Sequence, residues 1–95
     1  MNGIRGEAAV ILAGETRKVC LTLGALAEIE TALGTVGVEG LAARMRNLCA
    51  NDLMVVLAAL LRGGGEDGLA QTLARSQIGV DEAAAAIVAG FEASV

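Results

Sequence analysis

The side chains best suited to chemistry in this chain are few and poorly placed for it. There is no histidine, so the commonest general base and metal ligand is missing. The two cysteines, Cys20 and Cys49, stand 29 positions apart, which matches no metal-ligand spacing. They read as small buried hydrophobes, with a disulfide as the alternative. The carboxylates come in pairs that diverge. Glu28 and Glu30 lie two residues apart on a helical stretch and so point in different directions. Glu66 with Asp67, and Asp81 with Glu82, fall where helices begin, where negative charge meets the positive end of the helix dipole. No cluster of carboxylates is written that could hold a metal. Catalysis needs a base or nucleophile held in a cleft. On this reading there is no catalytic residue, no metal site and no cofactor site, and the chain is expected not to be an enzyme.

Two glycine groups invite a nucleotide reading and fail it. Gly34, Gly37 and Gly40 recur at every third position, but they lie between two helices, where a dinucleotide loop joins a strand to a helix. Gly63-Gly64-Gly65 lacks the Gly-Lys-Ser/Thr ending of a phosphate loop and reads as a flexible joint. Seven basic residues against eleven acidic ones leave a net charge of −4, which argues against phosphate neutralisation and nonspecific nucleic-acid binding. Tryptophan and tyrosine are absent, so there is no platform for base stacking. Arg44 and Arg46 read as a solvated helix face. A helix-turn-helix that turned them to DNA is the reading the charge disfavours.

The elements that position these residues are organised around Asn51 to Arg62, NDLMVVLAALLR, the densest apolar segment. Asn51 is expected as its N-cap and Asp52 as its first-turn acid. Leu53, Val56, Leu57, Leu60 and Leu61 recur at three- and four-residue spacings and make a broad apolar face, with Met54 and Val55 beside it. Arg62 suits the C-terminal dipole, and Gly63 is expected to end the helix in the left-handed conformation. Burial of each large residue is worth roughly 1.5–3 kcal/mol. The run from Leu53 to Leu61 is too short for a membrane span, which needs about 20 residues.

Upstream, Met1 to Arg5 reads as a frayed start. Glu7 to Leu12 is a strand candidate, Ala13-Gly14-Glu15 a turn, and Thr16 to Thr22 a second strand with Arg17, Val19 and Leu21 on one side. Together they predict a β-hairpin. A lone hairpin is marginal in water, so it must lie on the helices, and its edges are candidate assembly surfaces. Thr22 caps a helix from Leu23 to Leu33 whose stripe is Leu23, Leu26, Ile29 and Leu33, ended by Gly34. A second helix, Val38 to Leu48, turns Val38, Leu41, Ala42, Met45 and Leu48 inward. Downstream, Glu66 to Ser76 is a weaker helix anchored by Leu69 and Leu73, with Ile78 packing beyond it. Asp81 is expected to cap a last helix with Ile87, Val88 and Phe91 as its bulky face. That helix is either the last piece of core or a docking element.

The fold expected is α+β: an N-terminal β-hairpin over about residues 6–22, then a compact bundle of four to five short helices over about 23–94, in one domain spanning 1–95. A chain this short buries only roughly 60–65% of its unfolded surface. The apolar share of 55% is rich in alanine, with Phe91 as the single aromatic. The excess points to a covered surface, through a partner or a homo-oligomer, or to alanines left harmlessly exposed. Met1 to Glu7 lacks the apolar region of a signal peptide, so the chain is expected to be cytoplasmic when made.

At Leu21 to Glu30, LTLGALAEIE, and at Leu60 to Gly64, LLRGG, the chain resembles a small family from tailed phages and gene transfer agents, regarded as tail assembly chaperones and also labelled gene transfer agent tail tube proteins. The order of hairpin, LTLGALAELE-like helix, central helix with a Gly-rich end and helical C-terminus is similar too. Position 29 is Ile where the family leads one to expect Leu. The resemblance implies a noncatalytic chaperone that binds a tape measure protein, a tail tube protein, or both, during tail morphogenesis. The alternative it implies is a structural tail tube or terminator subunit, which would be virion-associated. A chaperone needs apolar helical surface for helical clients, and the expected partner-binding residues are Leu26, Ile29, Leu33, Ile87, Val88 and Phe91.

Overall fold

A computed structural model describes residues 6–44 and 49–94. The expected start, Met1 to Arg5, and the end of the second helix, with Met45, Arg46 and Leu48, lie outside the described residues. The architecture is α+β. Strands β1 (Glu7–Leu12) and β2 (Glu15–Cys20) form a two-stranded antiparallel sheet, followed by helices α1 (Leu23–Leu33), α2 (Gly37–Arg44), α3 (Ala50–Gly63), α4 (Asp67–Gln71) and α5 (Val80–Ala93). A 3-10 turn, Leu73–Arg75, follows α4.

The hairpin register pairs Glu7 with Cys20, Ala9 with Lys18 and Leu12 with Glu15. The turn is therefore two residues long. Ala13 and Gly14 both take positive φ, 53° and 83°, which gives the right-handed twist that two-residue hairpins require. Alternation then decides the faces. Leu12 and Val19 are buried, Ala8, Val10 and Leu21 pack against the same core, and Ala9, Ile11, Thr16 and Lys18 face outward.

α1 has the predicted bounds. The Thr22 hydroxyl accepts the Ala25 amide at 3.0 Å. Gly34, at φ 72°, donates its amide to the Glu30 carbonyl at 2.8 Å. Its buried residues are Ala25 and Ile29, and Leu23 is 84% exposed. The expected stripe began one turn too early: six residues of helix rotate Leu23 about 120° away from Ile29.

α3 is the centre of the molecule. It packs against α1, β2, α4 and α5, and Val56, Leu57, Ala59, Leu60 and Leu61 are almost wholly buried. Its ends differ from expectation. The helix begins at Ala50 with Cys49 as N-cap, so Asn51 lies inside the first turn. Asp52 supplies the cap contact instead, accepting the Cys49 amide at 3.4 Å. At the other end Gly63 is still helical, and the left-handed residue is Gly65, at φ 85°.

The glycine run is not a loose joint. A Cβ on Gly63 would lie 2.2 Å from the Cys20 carbonyl oxygen, and one on Gly64 2.2 Å from that of Lys18. Those distances are far inside van der Waals contact. Only glycine lets the end of α3 press its backbone against the outer edge of β2.

The fourth predicted helix is broken. The Thr72 hydroxyl donates back to the Gly68 carbonyl at 3.2 Å and the Ser76 hydroxyl to the Thr72 carbonyl at 2.9 Å. Such local bonds compete with a continuous helix. Leu73 is buried, and Leu69 and Ile78 pack on the core as expected. α5 is capped by Gly79, not Asp81, and Glu82 accepts the Gly79 amide at 3.3 Å. Its inner face is Ala83, Ala86, Ile87 and Gly90. No helix among the described residues is long and apolar enough to cross a membrane.

Candidate interaction site

An open groove of about 180 Å³ lies between the first half of α3, the Leu73–Gly79 connection and the start of α5. Its floor is Leu53, Leu57, Leu73 and Ala83, and Ile78 closes one side. Met54, 38% exposed, and Val80, 67% exposed, stand at its rim. Among the described residues, no charged side chain lines it. The helix periods explain the placement. Leu53 and Leu57 are one turn apart, with Met54 beside them, so the first two turns of α3 present one apolar strip.

A second, wider depression lies over α1 and α3, lined by Gly24, Ala27, Glu28, Thr31, Ala32, Val55 and Arg62. Its charged groups form one ion pair. The Arg62 guanidinium donates to the Glu28 carboxylate from two nitrogens, at 3.0–3.2 Å. Both side chains are well exposed, so the pair stabilises the fold by about 0–1 kcal/mol. Glu30 turns away from it, as the two-residue spacing requires, and accepts the Gly37 amide at 2.8 Å.

The charged groups hold structure together. Glu66 accepts the Lys18 amide and an Arg17 guanidinium nitrogen, each at 3.1 Å. Arg17 also reaches Glu15 at 2.7 Å. The Lys18 amide does most to lower the Glu66 carboxyl below its ordinary value; burial opposes this, and Arg17 and Lys18 add to the lowering. Asp52 pairs with Arg44 at 2.6 Å, so Arg44 is not the purely solvated charge expected from the sequence. Burial works to raise the Asp52 carboxyl, but bonds from Cys49 and Arg44 together carry it below its ordinary value. Both thiols are free; Cys20 is buried and Cys49 exposed. Burial, and behind it the Glu7 carboxylate, push the Cys20 thiol upward. Among the described residues, no three of the His, Cys, Asp and Glu side chains gather in a way that could hold a metal ion.

The six residues expected at a partner surface are divided between interior and surface. Ile29 and Ile87 are 0% and 1% exposed; they belong to the chain's own core and present nothing outward. Leu26, Leu33 and Phe91 are partly buried against that core. Val88 is 51% exposed on the outer side of α5. The fold does not bring the six into one patch. The sequence does not single out the groove residues Met54 and Val80, because periodicity identifies an apolar face without saying which part of it another helix covers.

Fold and surface define a small α+β protein with an apolar groove between α3 and the start of α5. The chain belongs to the family described as phage tail tube protein, GTA-gp10, whose family model matches residues 5–93. It is thus a tail protein of the phage and gene transfer agent kind, as the resemblance at LTLGALAEIE and LLRGG implies. No curated protein and no solved structure matches the chain.

Proposed function

We propose that this chain is a noncatalytic tail assembly chaperone that holds an apolar helical segment of a tape measure protein, and tail tube subunits in turn, while a tail is built in the cytoplasm. The observation that carries this reading is the groove beside Leu53 and Leu57, whose described lining carries no charged side chain, with Met54 and Val80 open at its rim. A helix with apolar residues at three- and four-residue spacing suits such a groove. The absence of histidine from the sequence supports a role without chemistry. The test is co-purification of the tape measure protein with Met54→Asp and with Val80→Asp. Capture should fall at least tenfold for both, with helical circular dichroism unchanged. Val88→Asp, outside the groove, should capture as wild type does. Loss of capture with Val88→Asp alone would move the client surface to the outer side of α5.

A structural tail tube subunit is the second reading, and the description of the matched family favours it. A tube built of stacked rings needs extensive sheet, and the described residues offer one hairpin. Mass spectrometry of purified particles separates the two. A chaperone is absent or in trace amounts, whereas a tube subunit is present in many copies.

A further inference from the structure

The two edges of the hairpin are treated differently. The outer edge of β2 is sealed: the Lys18 amide goes to Glu66, and the Lys18 and Cys20 carbonyls lie under the backbone of Gly64 and Gly63. The Lys18 amide points away from β1, so the pair Ala9–Lys18 is of the non-hydrogen-bonded kind. By alternation, Ile11–Thr16 is too. The N–H and C=O groups of Ala9 and Ile11 therefore line the opposite edge, and no partner for them is found among the described residues. Ile11 is 59% exposed there. We propose that the outer edge of β1 accepts an added β-strand from another protein, an extended segment with alternating apolar residues and a basic residue at each end. This surface is separate from the groove and does not rest on the chaperone reading.

Charge selects the occupant. α5 runs antiparallel along β1: Glu82 reaches the Ala13 amide at one end, and Gly6 lies against Ala93 and Ser94 at the other. Glu7 and Glu92 thus lie in chain positions near one end of the edge, and Asp81 and Glu82 near the other. Glu7, Asp81 and Glu92 have no ion-pair partner among the described residues. Basic residues at both ends of a strand would meet them, while Ala9 and Ile11 supply the main-chain bonds. A second copy fits worse. Antiparallel pairing of two β1 strands would carry both α5 helices to the same side of the joined sheet and set acid against acid.

The probe is a synthetic peptide of alternating valine and threonine with a lysine at each end, titrated into the full chain at low ionic strength. The readout is amide exchange and chemical shift by NMR. Saturable binding that protects the Ala9 and Ile11 amides is expected. The same peptide with glutamate ends should bind at least tenfold more weakly. Ala9→Pro removes an outward amide that β2 does not use, and Ile11→Lys adds charge to the edge. Each should lower affinity at least tenfold while leaving the chain folded. Equal binding of both peptides, or binding that both variants retain, overturns the proposal. So do shifts confined to Leu53 and Met54, no saturable binding at all, or protection of Ala9 and Ile11 by concentration-dependent dimerisation without peptide.

Discussion

The carboxylate of Glu66 accepts the backbone amide of Lys18 at 3.1 Å, across 48 positions of sequence. That bond ties the segment after α3 to the outer edge of β2, and Arg17 reinforces it from the same strand. An edge strand otherwise offers its amides to any chain that meets it. Glu66 was expected only to begin a helix; its larger role is to close a sheet.

Acid stability should report this bond. The folded Glu66 carboxyl is held below its ordinary value of 4.5 and Asp52 below 3.8. The unfolded chain therefore takes up protons first as pH falls. Their contribution to stability is complete above the ordinary values and is lost as pH drops through the folded ones. Urea unfolding at pH 7, 5, 4 and 3 should show a steep loss beginning near the ordinary Glu66 value. Glu66→Gln should cost about 1–2 kcal/mol at pH 7, where a charged acceptor is lost, and should flatten the acid limb. An unchanged limb would mean that the Glu66 bonds do not persist in solution.

Gly64 should be the least replaceable glycine. Its Cβ position lies 2.2 Å from the Lys18 carbonyl oxygen and 2.6 Å from the carbonyl carbon, and both atoms belong to backbone that cannot rotate aside. Gly64→Ala should destabilise by about 2–3 kcal/mol, at the upper end of overpacking costs, or leave the hairpin undocked. Gly68 has nothing within 4 Å of its Cβ position, and Gly68→Ala in α4 should be neutral or stabilise by about 0.5–1 kcal/mol. Thermal unfolding of the two variants side by side checks the contrast.

What the sequence made legible follows from which forces are local. The bounds of α1 are set by Thr22 and Gly34, whose signals lie within the segment they end. The hairpin faces follow from alternation as far as Val19; Cys20, on the outward parity of Thr16 and Lys18, is buried all the same. Contacts made across the fold left no local mark. Nothing near Glu66 indicates that Lys18 arrives beside it, and a Gly-Gly-Gly run reads alike whether it is a hinge or a tight packing point. The same limit applied to the interaction surface. Periodicity placed Ile29 and Ile87 on apolar faces correctly, but burial is decided by the neighbouring element, and α3 and the hairpin took both.

The thiols should separate cleanly. Cys49 is exposed, while Cys20 is buried in β2 opposite Glu7 with its thiol pushed upward. Thiolate is the reactive form, so a disulfide reagent at pH 8 should titrate one thiol at once and the second only on unfolding. Cys49→Ser should abolish the fast phase and leave the slow one. A fast second thiol would show that the end of β2 opens in the native state.

The hairpin turn should be improvable. Ala13 sits at φ 53°, a left-handed conformation that costs an alanine, followed by Gly14 at φ 83°. Asn-Gly is the pair best suited to two successive residues of positive φ, because asparagine tolerates that region where alanine does not. The Cβ at position 13 is already exposed, so the substitution adds no packing conflict. Ala13→Asn should stabilise the chain by about 0.5–1 kcal/mol, seen as a higher urea midpoint with the slope unchanged. Since the hairpin docks on both α3 and α5, the gain should appear in the single global transition. A gain seen only by a local probe of the strands would mean that the hairpin unfolds independently of the helices.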